Sequence, residues 1–235
     1  RETLAELHHS LVILEEDDNV RLLVIRGAGN TAFVAGADIR ELAELSPQQG
    51  AALAQLGNQQ VFDYIEHYNK PVIAAVNGYA LGGGLELAMA CHLRVFSDTA
   101  KVGMPETSLG LIPGYGGTQR LPQLVGRGRA MELLLTGDMI DAQHAYNIGL
   151  TNAVCSPKEL DVKVLELAAS IIKNAPESQQ QLLAAVCAGY DPLTDGYAVE
   201  TEAFGRCFDT DNFREGTSAF LQKRKPKFSP RFPRQ

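Results

Sequence analysis

The sequence predicts an alternating α/β fold that gives way to a helical region, and three observations carry that prediction. Short apolar, β-branched runs such as VIAAV (72–76) read as strands buried on both faces. Segments with helical spacing alternate with them through the front of the chain. After Pro157 the strand signals stop and long helical segments run to the basic tail KRKPKF (223–228). The boundary is placed near residue 160, with an α/β core over 1–160 and a helical region over 161–235.

Each element has its own warrant. Leu4, Leu7, Leu11 and Leu14 repeat at helical spacing, and the acidic run Glu15–Asp18 ends that helix. A chain that opens inside a helical pattern suggests a segment missing upstream. RLLVIRG (21–27) reads as a strand. AFVAGADIREL (32–42) passes from an extended piece through Gly36 into a helical turn. Pro47 suits the first turn of a helix reaching to about His67, with Leu53, Leu56 and Phe62 among its apolar positions. LRVFS (93–97) is strand-like, and KVGMPE (101–106) is a second extended segment ending at a carboxylate. Residues 110–126 read as a glycine-rich loop leading to a helix over 130–135. Asp141 caps a short helix that Gly149 stops, and NAVC (152–155) is a strand.

The stretch PVIAAVNGYALGGGLE (71–86) organises the rest. Asn77-Gly78 signals a turn after the strand, and Gly82, Gly83 and Gly84 lead into a buried helix. Glycines before a helix leave backbone N–H groups bare where partial positive charge collects, a place for a phosphate or a developing oxyanion. Glu86 falls in the first turn of that helix. It is either a favourable first-turn charge or an acid or base beside the bare amides. Glu106, after Pro105, is either a solvated charge or a second carboxylate lining a cleft. A carboxylate pair with separated roles suits addition of water to a polarised double bond, which needs water oriented and deprotonated and a proton delivered.

Composition and missing motifs narrow the field. The formal charge of −7 argues against general nucleic-acid binding. No apolar run approaches a membrane span, and the start is not a signal peptide. No P-loop, strict GxGxxG after the first strand, or GxSxG elbow occurs. Cys91, Cys155, Cys187 and Cys207 lie far apart, as buried free thiols of a reducing compartment do. The five histidines have no metal-ligand spacing and read as surface or packing residues.

Together, AFVAGADIREL, KPVIAAVNGYALGGGLELAMAC, KVGMPETSLGLIPGYGGTQRLP, LLLTGDMIDAQHAYNIGL and FREGTSAFLQKRKP resemble the crotonase family of enoyl-CoA hydratases and isomerases, across nearly the whole chain. The resemblance implies a spiral of ββα turns with a C-terminal helical trimerisation region. It implies a trimer or hexamer acting on an acyl-CoA thioester, with no metal or cofactor beyond the substrate's coenzyme A. No nucleic acid or membrane partner is expected, and the setting is soluble, either bacterial cytoplasm or mitochondrial matrix. By position, the oxyanion hole falls on the N–H groups of Ala37 and Gly83. Glu106 is the family's donor to the α-carbon, and Glu86 orients or deprotonates the water. Gly114 helps position that water. Ala35, Gly36, Ala37 and Ile39 line the coenzyme A site, and Arg40 and Lys223 supply positive charge to it.

Departures from the family pattern matter. A hairpin and loop of about 20 residues that usually precedes the first helix, and normally contacts the pantetheine arm, is absent here. His92 stands where an Asp usually follows the Cys, away from the carboxylates, and Tyr115 replaces a small residue in a way that narrows the acyl pocket. The favoured reading is enoyl-CoA hydratase. Its rivals are an isomerase, a methylglutaconyl-type hydratase, and a non-catalytic acyl-CoA- or RNA-binding homologue.

Overall fold

A computed structural model describes residues 2–229. They divide into two compact units. One takes in the chain up to His8, Val24–Glu66 and Val72–Leu165; the other takes in His9–Leu23, His67–Pro71 and the chain from Glu166 onward.

Eight short strands among the described residues build two four-stranded sheets. They are β1 (Leu23–Arg26), β2 (Ala32–Val34), β3 (Val72–Val76), β4 (Tyr79–Leu81), β5 (Leu93–Ser97), β6 (Lys101–Gly103), β7 (Met139–Asp141) and β8 (Ala153–Cys155). One sheet has the order β1-β3-β5-β8 and the other β2-β4-β6-β7. Odd and even strands therefore alternate between sheets up to β6, and a helical segment intervenes before each new pair. That is the spiral of ββα turns the resemblance implies. The pairs β3/β5, β5/β8, β2/β4 and β4/β6 are parallel, whereas β6/β7 is antiparallel. All five residues of β3 are buried, which explains why VIAAV carries no polar alternation.

The first helix, α1 (Glu2–Glu16), follows its leucine spacing. After β2 come α2 (Ile39–Ala43) and α3 (Pro47–Gly57), the latter opened by a capping box between Ser46 and Gln49 with Pro47 in its first turn. A π-helical turn, Asn58–Phe62, then joins α3 to α4 (Asp63–Glu66). The single helix expected from Pro47 thus carries an inserted π turn, a feature often found beside functional sites. Helix α5 (Gly83–Ala90) follows β4, and α6 (Gly117–Val125), α7 (Arg127–Thr136) and α8 (Ala142–Asn147) come after it in this unit.

Three expectations shift. Residues 117–125, read as loop, form α6 despite an internal Pro122, because the glycines that suggest a loop precede it, open it at Gly117 or end it. Strands β4 and β7 are three residues long and exist by long-range pairing, so local pattern did not announce them. Glu106 lies in the first turn of a 3₁₀ helix, Pro105–Leu109, after β6 has ended at Gly103.

In the second unit, α9 (Leu160–Ile172), which starts in the first unit, leads to α10 (Pro176–Ala188), α11 (Gly196–Cys207) and α12 (Asp211–Leu221). Helix α10 packs on α11. The buried ammonium of Lys70 donates to the carbonyls of Leu14 and Asp17, both at 2.8 Å, at the end of α1. This cation satisfies carbonyls that a helix end leaves bare.

Helix α5 is fixed at both ends. A Cβ on Gly84 would stand 1.9 Å from the Val34 carbonyl oxygen, so only glycine lets α5 approach β2 this closely. At the other end, Arg94 is 5% exposed, and its guanidinium donates to the carbonyls of Ala88, Met89, Cys91 and Leu150. A buried cation at a helix C-terminus complements the helix dipole and closes four acceptors at once. Replacing it orphans those acceptors, at about 1–3 kcal/mol for a buried unsatisfied group. Arg94→Met should therefore lower unfolding stability by at least about 3 kcal/mol in urea titrations. A loss below about 1 kcal/mol would mean that the four bonds contribute little net stability.

Candidate active site

One cavity of about 780 Å³ in the first unit collects most of the residues singled out from the sequence. Ala35, Gly36, Ala37, Ile39, Gly83, Glu86, Glu106 and Gly114 all line it. Arg40 is not among its lining residues and is exposed on α2. Lys223 belongs to the second unit, exposed just past α12 with a φ of +54°.

The cavity wall begins with the glycines before α5. Gly82 has φ +52°, a backbone angle that favours glycine, and a Cβ on it would meet Glu106 Oε1 at 2.6 Å. Gly83 then opens α5 with no side-chain cap, leaving its N–H without an intrahelical acceptor. On the facing segment, Gly36 (φ +104°) turns the chain just before Ala37.

Glu86 is 1% exposed, and its orientation is set by the loop 110–116 and the start of α6. Its Oε1 accepts the backbone N–H groups of Tyr115 and Gly117, each at 2.8 Å. Two donors on one oxygen leave Oε2 for the cavity. Burial pushes the carboxyl up to about 7; the two N–H donors and the Arg120 cation oppose this, and the Glu106 charge adds to it. Glu106 is half-buried, and burial also raises it above the usual carboxylate range. Its Oε2 is buried and makes no hydrogen bond. Two carboxyl groups, both biased toward the protonated form, therefore share one pocket, with the stronger bias on the more buried of them.

Sequence reading missed what holds the loop. Arg120 is 5% exposed on α6. It donates to Asp63 (2.7 Å) and Glu66 (2.6 and 3.0 Å) on α4 and to the Tyr115 carbonyl at 2.8 Å. The Asn58 amide, at the start of the π turn, donates to the Gly114 carbonyl at 3.1 Å. The loop that positions Glu86 is thereby tied to the helical segment 58–66. An arginine three residues after the glycines was the visible signal, but its carboxylate partners lie more than fifty positions away.

His92 acts as a packing residue, as expected. Its Nδ1 accepts from the Val72 N–H at 2.9 Å, and Nε2 lies 3.2 Å from the Glu66 carbonyl oxygen. Cys91 is buried, whereas Cys155, Cys187 and Cys207 are only half-buried.

The sequence profile of the Enoyl-CoA hydratase/isomerase family matches residues 1–231. The chain belongs to that family. It is 46% identical over 229 residues to a crotonyl-CoA hydratase of Syntrophomonas wolfei, covering 97% of this chain and 88% of the relative. It is 41% identical to a mitochondrial enoyl-CoA hydratase of Pongo abelii, over 95% and 76% of the two chains. Among solved structures, an enoyl-CoA hydratase from Bacillus anthracis superposes with a TM-score of 0.89 at 39% identity, covering 97% of this chain and 88% of that one. In this enoyl-CoA hydratase/isomerase relative, the cavity built from the glycine turn and two carboxyls is the candidate active site.

The Glu86 environment has a consequence for stability. Its folded pKa of about 7 exceeds its ordinary value of 4.5, so the folded chain holds this proton more tightly than the unfolded chain. The stability it contributes is full below about 4.5 and is lost as pH rises through about 7, up to about 3 kcal/mol. Glu86→Gln keeps an amide oxygen for the two N–H donors and cannot ionise. Its melting temperature relative to the parent should therefore rise between about pH 5 and about pH 8 in scanning calorimetry. A pH-independent difference would show that Glu86 is not perturbed.

Proposed function

We propose that this chain is an enoyl-CoA hydratase, adding water to a trans-2-enoyl-CoA to give the 3-hydroxyacyl-CoA. One observation carries the reading: two raised carboxyl groups line one cavity with the N–H of a capless helix start. The relatives named for this reaction support it.

In this mechanism the thioester carbonyl accepts hydrogen bonds from the N–H groups of Ala37 and Gly83, which makes the β-carbon electrophilic. Water stands between Glu86 and Glu106. Near neutrality Glu86 is ionised on a substantial fraction of molecules, and in that form it orients the water. Its Oε2 then accepts a hydrogen bond from the water while Oε1 stays on the loop amides. As that oxygen bonds to the β-carbon, one O–H bond breaks and Glu106 takes the proton. Glu106 then passes it to the α-carbon of the enolate that the oxyanion hole has stabilised. Every atom added comes from one water, and no group is oxidised or reduced. Gly114 shapes the water's position, and Ala35, Gly36 and Ile39 offer backbone and apolar contact to coenzyme A. Arg40, exposed in the same unit as the cavity, provides positive charge for its phosphates.

Self-association belongs to the same reading. Leu182 and Val186 on α10, Tyr197 and Phe204 on α11, and Phe220 and Leu221 on α12 are all exposed. Where such side chains form one face, a second copy of the chain is a suitable cover for it. Sedimentation should find a trimer or hexamer; a monomer at micromolar concentration contradicts this part.

The central test follows loss of the conjugated thioester's absorbance on crotonyl-CoA. Parent protein should turn over rapidly, and Glu86→Gln and Glu106→Gln should each lose at least about 100-fold in kcat, the scale of a general acid or base. Parent protein that shifts a double bond without adding water would replace the hydratase reading with isomerase.

A further inference from the structure

We infer that the Tyr115 ring is the floor of the acyl pocket and restricts this enzyme to short acyl chains. This rests on the proposed hydratase reading for the direction in which the substrate lies. With the thioester carbonyl at Ala37 and Gly83 and the β-carbon between the carboxyls, carbons beyond the β-position continue past Glu86. The Tyr115 ring occupies that space. Its Cδ2 and Cε2 lie 3.4 and 3.6 Å from where a Cβ on Gly83 would sit, and Glu86 Oε2 lies 3.9 Å from the same point. Ring, oxyanion donor and carboxyl are therefore immediate neighbours.

The ring is also locked. It stacks on Phe62 with centroids 4.5 Å apart and planes 5° from parallel. Phe62 is 2% exposed and ends the π turn, so moving it would disturb packed core. On the ring's other edge, a Cβ on Gly57 would fall 2.4 Å from Tyr115 Cε1, so that position accepts the ring only as glycine. The backbone on either side is held by Asn58 at Gly114 and by Arg120 at the Tyr115 carbonyl. Swinging the ring aside means breaking the stack while the loop stays fixed. The remaining walls here, including Leu53, Ala54, Leu111 and Pro113, are apolar and suit a short hydrocarbon end.

This assignment differs from a role for Tyr115 in placing Glu86, because that contact is made by the Tyr115 backbone N–H. Substitution of the side chain leaves the N–H in place. Occupied space, and not the hydroxyl, is what sets the limit, so phenylalanine should behave like tyrosine.

The experiment compares a four-carbon with a ten-carbon enoyl-CoA by kcat/KM, and butyryl-CoA with decanoyl-CoA by calorimetric binding, in the parent, Tyr115→Ala and Tyr115→Phe. Circular dichroism and thermal melting accompany each variant. The parent should prefer the four-carbon thioester by at least tenfold. Tyr115→Ala should shift that ratio at least tenfold toward ten carbons, and Tyr115→Phe should keep the parent's ratio. A parent equally active on both lengths, or a folded Tyr115→Ala with an unchanged ratio, overturns the assignment. If the parent hydrates neither substrate but its binding ratio moves with Tyr115→Ala, the hydratase reading fails and the pocket assignment stands. If neither saturated thioester binds, the pocket assignment fails as well.

Discussion

Everything at this site depends on the two hydrogen bonds that Tyr115 and Gly117 donate to one oxygen of Glu86. A carboxyl buried to this degree is expensive to ionise, and without donors it would rest as a neutral acid of no fixed orientation. The two amides offset part of the desolvation cost, which leaves the group titrating near 7. They also choose which oxygen faces the cavity. The loop that supplies the Tyr115 amide and leads into Gly117 has no regular structure of its own, so its shape must be imposed from outside. Arg120 does this, joining the Tyr115 carbonyl to Asp63 and Glu66, and Asn58 does it at Gly114. A buried guanidinium with two carboxylates and a carbonyl has its donors engaged in nearly every direction, which is what makes it a rigid link.

The helix carrying Glu86 is constrained just as tightly. Gly84 lets it meet β2, and Arg94 closes its far end, so its first turn and the capless Gly83 N–H are held at one place. Positioned dipoles stabilise developing charge because they need not reorganise when it appears. Rigidity at both ends of a two-turn helix is thus a condition of the chemistry. The same rigidity serves selectivity, since the Tyr115 ring is wedged between Phe62 and Gly57 by the loop that orients Glu86.

Much of this was legible in the sequence, for identifiable reasons. The glycine triplet, VIAAV and the Asp141 cap are local signals, and the elements they announce appear where they were read. Glu86 stood out because it follows the glycine turn and Glu106 because it follows Pro105 at the end of an extended segment, and they do line one cavity. Illegible features depend on partners far along the chain. Strands β4 and β7 exist only by pairing, the π turn carries no composition of its own, and Arg120 acquires its role only from Asp63 and Glu66, more than fifty positions earlier. The helical character of 117–125 was hidden by neighbouring glycines and by Pro122.

The sequence by itself determined the alternation of strands and helices, the bare amides before α5, and the presence of two carboxylates in suggestive settings. These are properties of short stretches, governed by backbone conformational preference and hydrophobic period. Tertiary structure alone decided which oxygen of Glu86 is free, how far burial lifts each carboxyl, and what stands beyond the β-carbon. Those outcomes follow from desolvation and close packing among segments fifty residues apart or more, such as Arg120 with Asp63 and Tyr115 with Gly57. No local pattern encodes the absence of water around a side chain; only the folded chain excludes it.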